Sequence, residues 1–219
     1  QNTAFPEMPE NEHLTMKLAE LLGIQTVTSS LIRLKSGELS YITKRIDRTT
    51  KGEKIHMLDM FQITEAFDKY RSSMEKVGKA VIEHSSNTLL DVLRLYEVVI
   101  FIFITGNNDM HLKNFSLILK DENWGFAPAY DLLNVQLHLP EDKEETALTI
   151  GGKKSRLTKS DFIILGVKFG LSEKQIENVF KRCIKAEKKM LLLIDQSFLS
   201  EANKINYKDL LMQRINLFK

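Results

Sequence analysis

The architecture of this 219-residue chain turns on residues 106–116, Gly106-Asn107-Asn108-Asp109-Met110-His111-Leu112-Lys113-Asn114-Phe115-Ser116. The stretch is polar and opens on glycine, so it reads as a loop. Its neighbours on both sides are regular. Upstream, Thr88–Thr105 has Thr88 placed as an N-cap and apolar residues at Leu89, Leu90, Val92, Leu93, Leu95 and Tyr96, then becomes apolar all round. That pattern predicts a helix buried at the centre of the domain. Downstream, Phe115–Leu119 and Trp124–Ala127 read as two short strands joined by the polar turn Lys120–Asn123. A loop rich in Asn and Asp is therefore held between a buried helix and a hairpin.

Towards the N-terminus, Gln1–Pro9 is irregular. Glu10–Leu22 then carries Leu14, Leu18, Leu21 and Leu22 at helical spacing and stops at Gly23, a residue suited to ending a helix. Thr26–Leu34 and Glu38–Ile46, joined by Lys35-Ser36-Gly37, have the signature of a β hairpin. From Leu58 the pattern turns helical, with helices expected at Glu65–Tyr70 and Ser73–His84. Beyond Asp131, the charged section Gln136–Arg156 reads as a mobile surface loop with one short strand, Ala147–Ile150. Helices are expected at Lys159–Phe169, Ser172–Lys189, Leu191–Phe198 and Asp209–Leu217, the second opening on a capped Ser172 with Gln175 behind it. No internal repeat or low-complexity linker divides the chain, so the fold class is α+β, mostly α, with small β hairpins in one unit.

Composition narrows the classes. Hydrophobic residues make up 43% and charged residues 27%, as in ordinary globular proteins rather than disordered or fibrous ones. With 31 basic against 29 acidic residues the net charge is +2, which argues against wholesale electrostatic binding of nucleic acid or membrane. The lone Cys183 has no partner for a disulfide or a thiolate metal site, which fits a reducing compartment. The longest apolar run, Val98–Ile104, is far short of the roughly 18 to 20 residues that cross a bilayer. The polar start of the chain lacks the plan of a signal peptide, so a cytoplasmic location is the simplest expectation.

The chemistry-bearing residues cluster in and after the central loop. Asp109 and Asn114 stand in the pattern Asp-x-x-x-x-Asn, the spacing of the catalytic loop of protein kinases. In that chemistry a carboxylate orients an attacking hydroxyl and takes its proton, while a neutral amide oxygen coordinates magnesium without adding charge beside the phosphates. A second carboxylate is needed for the metal, and Asp131, in Pro128-Ala129-Tyr130-Asp131-Leu132-Leu133, lies where the hairpin would return it to the loop. The same Asp and Asn residues serve equally well as caps of turns and helices. His111 has no second histidine at a ligand spacing, which argues against zinc. Lys113 is placed to contact a phosphate or simply to be solvated.

Three strings taken together carry a resemblance: residues 106–116, Pro128–Leu133, and the upstream Ile42-Thr43-Lys44-Arg45-Ile46-Asp47-Arg48. The chain closely resembles the HipA family of serine/threonine kinase toxins, from Pro9-Glu10-Asn11-Glu12-His13 to the C-terminal helices. The resemblance implies a protein-kinase-like C-terminal lobe, with 10–50 as a remnant helix, hairpin and nucleotide hinge and 51–219 as a helical catalytic lobe. It further implies that ATP and magnesium are the cofactors, that Asp109 is the catalytic base, and that Asn114 and Asp131 hold the metal. His111 and Tyr130 would lie near the nucleotide, with Ile46 and Asp47 lining its adenine and ribose side. Ile46 stands where the family usually has Phe.

The family pattern also places an ATP-binding lysine strand and a glycine-containing phosphate loop before the segment that aligns with Glu10–Ile24. Neither appears in this chain, so the N-terminal lobe is expected to be missing, disordered, or supplied by a separate polypeptide. Family members phosphorylate a hydroxyl of a protein, with aminoacyl-tRNA synthetases as the substrate class, and are neutralised by a small DNA-binding antitoxin of the HipB type. The resemblance thus implies a toxin kinase. Two other readings stay open: a pseudokinase or toxin–antitoxin scaffold that has lost transfer, and a kinase for small molecules.

Overall fold

The computed structural model describes residues 5–219; Gln1–Ala4 lie outside it, so the irregular N-terminal stretch is assessed only from Phe5 onward. Helix α1 spans Met8–Leu21 and places Pro9 in its first turn, where the missing N–H costs nothing. It therefore begins earlier than expected. It buries Asn11, Leu14, Thr15, Met16, Leu18 and Ala19. The hairpin follows as strands β1, Ser29–Arg33, and β2, Leu39–Thr43, antiparallel with Ser29 opposite Thr43 and Arg33 opposite Leu39. Both strands pack on α1.

A second sheet has three strands in the order β3, Met57–Asp59; β4, Ser116–Lys120; and β5, Asn123–Phe126. All its pairs are antiparallel, with Asp59 opposite Ser116 and Leu117 opposite Phe126. Strand β3 was not expected, because three residues are too few to show an alternation. It leads directly into the single-turn helix α2, Met60–Ile63, closed by a reciprocal capping box between Asp59 and Gln62.

Helices α3, Met74–His84, and α4, Thr88–Ile104, pack on one another. In α4 every residue from Val98 to Ile104 is buried, as the all-round apolar pattern requires. Its N-cap is Asn87 rather than Thr88, and Asn87 forms no side-chain cap bond. Helix α4 stops at Gly106, whose φ of +70° and near contact with Leu210 and Asn134 leave no room for a Cβ. The C-terminal bundle comprises α5, Lys159–Lys168; α6, Glu173–Asp195; and α7, Glu201–Asn216. Phe103 meets Phe162 at 4.7 Å and Phe218 at 5.9 Å, and Phe180 stacks on Phe218 at 4.6 Å. The apolar core runs without a break from Leu14 to Phe218.

Several expectations are corrected. Glu65–Tyr70 is not helical but an irregular strap between α2 and α3, entered through Glu65 at φ 49°. The section Gln136–Arg156 is exposed at Pro140, Glu141, Lys143, Glu144 and Gly151–Lys153 but tied into the fold between them: Thr146, Ala147, Leu148 and Ile150 are buried, and Thr149 bonds through its N–H to Ser72 and through its C=O to Met74. Ala147–Ile150 forms only isolated bridges, Ser73 with Thr149 and Ile150 with Lys153, so the expected strand is absent from the described residues. Finally, the two helices expected at Ser172–Lys189 and Leu191–Phe198 are one, because Lys188–Leu193 contains no helix breaker, and α7 starts at Glu201 on a capping Ser200. No helix among the described residues is long and apolar enough to cross a membrane.

Candidate active site

The loop after α4 is shaped from beneath by buried amides. Asn107 is buried; its Oδ1 accepts from the N–H of Asp109 at 3.3 Å and its Nδ2 donates to the C=O of Asp131 at 3.4 Å. One side chain thus fastens both ends of the expected site. Asn108, also buried, donates to Asp142 at 2.8 Å and to the C=O of Glu144 at 3.0 Å. Asp109 itself is exposed above these supports.

Asn114 closes a short 3-10 turn, Leu112–Asn114, in which its Oδ1 accepts from the N–H of His111 at 3.1 Å. Its Nδ2 donates to Oδ2 of Asp131 at 2.5 Å. The hairpin β4–β5 therefore brings Asn114 and Asp131 into contact. Asp131 has φ 58°, a left-handed conformation that a short polar side chain tolerates and that often marks a functional position. Tyr130 secures this return: its hydroxyl lies 2.6 Å from that of Ser116 and donates to the C=O of Lys113 at 2.9 Å. Burial pushes the Tyr130 phenol up to about 12, so it remains a donor at neutral pH.

His111 is buried and its Nε2 accepts from Lys69 at 2.9 Å. Because ammonium is only a donor, the ring proton sits on Nδ1. Burial and then the Lys69 charge lower the affinity of His111 for a second proton, so the ring is neutral. Lys113 is exposed, with its ammonium 5.1 Å from the Phe61 ring centre.

Ile46 and Asp47 stand apart from this cluster, beyond β2. Ile46 packs half-buried on the core. The Asp47 carboxylate accepts from Arg45 at 2.9 and 2.6 Å and from Arg48 at 2.6 Å, and the Arg45 bonds hold it down to about 2. It stays ionised, with lone pairs left for a hydroxyl donor. Neither residue shares a hydrogen bond with the 106–116 loop. The segment before β1 is nevertheless registered to the segment leading to Asp131, since Val27 donates to the C=O of Ala129 at 3.0 Å and Ala129 to that of Gln25 at 2.8 Å.

Two participants escaped the sequence reading. Tyr70, on the strap, donates its hydroxyl to Oδ1 of Asp109 at 2.9 Å, and its ring meets His111 edge-on at 5.0 Å. Glu12, on α1, is a carboxyl pushed up to about 8, by burial first and then by the charge of Asp131. Neither had a local signal, because each reaches the site from a distant part of the chain.

The donors suit magnesium. Asp131 supplies carboxylate oxygens and Asn114 an amide Oδ1, which here accepts from the N–H of His111 while its Nδ2 meets Asp131, and no cluster of three His, Cys, Asp or Glu residues exists among the described residues. A hard cation held by one or two protein oxygens, completed by water and substrate phosphates, has that requirement.

The profile of the HipA-like C-terminal domain matches residues 1–190. A Haemophilus influenzae protein is 25% identical, and two Sinorhizobium fredii proteins are 31% and 32% identical, over 90%, 85% and 72% of this chain. All three are named, provisionally, as kinases. The chain spans 66%, 51% and 39% of their lengths. Among solved structures, HipA of Shewanella oneidensis, in complex with HipB and operator DNA, superposes with a TM-score of 0.80 at 18% identity, over 97% of this chain and 56% of that one. The proinflammatory kinase CtkA of Helicobacter pylori gives 0.68 at 16% identity, over 98% and 87%. Those two likenesses establish a kinase-like fold, and the profile match over most of the chain establishes that it belongs to the HipA-like C-terminal domain family.

Proposed function

We propose that this chain carries the catalytic centre of an ATP-dependent, HipA-like serine/threonine protein kinase. The observation that carries the reading is the contact of Asn114 with Asp131, with Asn107 tying the backbone of Asp109 to that of Asp131. Asp109 accepts the hydrogen bond of the attacking hydroxyl and takes its proton as the bond to the γ-phosphorus of ATP forms and that from the γ-phosphorus to the β–γ bridging oxygen breaks, releasing ADP. Asn114 and Asp131 hold magnesium, which when bound neutralises charge on the phosphate oxygens. Neutral His111 and cationic Lys113 face the phosphates, Tyr130 braces Asp131, and Ile46 and Asp47 take the adenine and ribose. Catalysis is then mainly positioning and electrostatics.

In this reading Glu12 awaits a cation, since a buried carboxylate beside another one is favourable only when paired. A lysine of an N-terminal lobe, in the same or a separate polypeptide, is the natural partner. The acceptor is a protein hydroxyl, with an aminoacyl-tRNA synthetase as the substrate class, in the cytoplasm. A HipB-type antitoxin is the proposed protein partner, supported by the complex in which the Shewanella neighbour was solved.

The test is transfer of labelled γ-phosphate to serine or threonine by protein made from its complete reading frame. Asp109→Ala is expected to lower kcat by about 10² to 10⁴. Equal turnover in that variant contradicts the assignment, and no turnover in either protein favours a scaffold that binds partners without transfer.

A further inference from the structure

The strap Glu65–Ser72 supplies the one side chain that bonds directly to the carboxylate of Asp109 among the described residues. It is fixed on both sides of that contact. Before it, the C=O of Lys69 accepts from the N–H of Leu112 at 3.1 Å and Lys69 Nζ donates to His111 at 2.9 Å. After it, the C=O of Ser72 accepts from Thr149 through the N–H at 3.2 Å and through the hydroxyl at 3.3 Å. The N–H of Tyr70 itself donates to Asp68 at 2.8 Å. A phenol held this way approaches Asp109 from one direction and engages one oxygen, Oδ1. Oδ2 has no hydrogen-bond donor among the described residues, and Asp109 is exposed.

We propose that Tyr70 is a positioning residue for phosphoryl transfer: its hydroxyl holds Oδ1 of Asp109 so that Oδ2 faces the incoming acceptor hydroxyl. This rests on the kinase reading and deepens it. The carboxylate of a proton acceptor is otherwise free to turn about its last torsion, and a misdirected oxygen loses both the orientation of the nucleophile and the path of its proton. A swinging cover over the site would leave the strap free at one end, whereas both flanks of Tyr70 are bonded to the catalytic loop or to the segment around Thr149. Burial, the bond to Asp109 and its charge push the phenol up to about 12, so it is a donor throughout the working pH range.

The test compares Tyr70→Phe with the unsubstituted protein, both made from the complete reading frame, in magnesium-ATP turnover with water and with myelin basic protein as acceptors. The variant keeps the ring against His111 and removes only the hydroxyl. The expected result is a fall in kcat of about ten-fold or more, the scale of a hydrogen bond to a charged group, with KM for ATP and for the acceptor unchanged. A kcat that is unchanged or raised, or a loss confined to KM, overturns the role of Tyr70 while turnover by the unsubstituted protein stands. Absence of turnover in the unsubstituted protein overturns the kinase reading itself and the role of Tyr70 with it.

Discussion

The two sheets of this molecule are built alike and used differently. In the second sheet Ser116, Leu117 and Ile118 are 2%, 1% and 3% exposed, and the sheet is sewn to helix α4 by the buried carboxylate of Asp91. That carboxylate accepts from the N–H of Phe126 at 3.0 Å, from Ser85 at 2.5 Å and from Arg94 at 3.1 Å. The first sheet is a two-stranded ribbon resting on α1, with Ile32 and Ile42 exposed at 39% and 46%. The buried sheet can deliver Asp131 to Asn114 at hydrogen-bond distance because nothing beneath it can shift without opening the core. The ribbon leads into Ile46, which packs half-buried on the core, and Asp47, whose carboxylate bonds only to its neighbours Arg45 and Arg48 among the described residues. The pair proposed to hold magnesium is thus brought into contact by the fold, whereas the residues proposed for the nucleotide are not joined to that pair by hydrogen bonds.

That contrast can be broken most directly through stability. Asp91→Ala strands the N–H of Phe126 and the Arg94 guanidinium, and is expected to cost about 2 to 3 kcal/mol in denaturant unfolding. Ile42→Ala on the ribbon is expected to cost less than about 0.5 kcal/mol. Equal costs would show the two sheets to be equally integral to the fold.

A smaller effect sharpens the comparison at the junction of α1 and Asp131. Folded Glu12 holds its proton up to about pH 8, whereas in the unfolded chain it ionises in the ordinary carboxylate range. The folded state therefore binds the extra proton, and this contribution is complete below that ordinary range and disappears as pH rises towards 8. Glu12→Gln is expected to flatten the decline, so that the variant gains on the parent by about 1 to 2 kcal/mol at pH 8 relative to pH 5. Thermal melts at the two pH values measure it, and parallel pH dependence would place Glu12 in water.

The legible parts of the sequence were those with dense local signals. The apolar run Val98–Ile104 declared a buried helix, and the Asp-x-x-x-x-Asn pattern set in a Gly-Asn-Asn loop marked the centre of the proposed site. Proximity of Asn114 and Asp131 followed from a recognisable hairpin between them. What escaped depended on distant packing. Strand β3 exists because Met57–Asp59 lie alongside β4, not because three residues favour extension. The strap Glu65–Ser72 resembles a weak helix in composition, but its backbone bonds go to Leu112 and Thr149 instead of to itself. Tyr70 and Glu12 reach Asp109 and Asp131 only once those packings are in place, so no spacing could have announced them. The segment around Ala147–Ile150 was misjudged for the same reason, its charged flanks concealing apolar residues that fill the core.

The central claim is that Asn114 and Asp131 form the metal side of a phosphotransfer centre. Calorimetry of magnesium-ATP binding to protein made from the complete reading frame, with Asp131→Ala alongside, tests it most directly. The account expects binding that requires magnesium and is lost in Asp131→Ala; binding that survives the substitution, or that ignores magnesium, would contradict it.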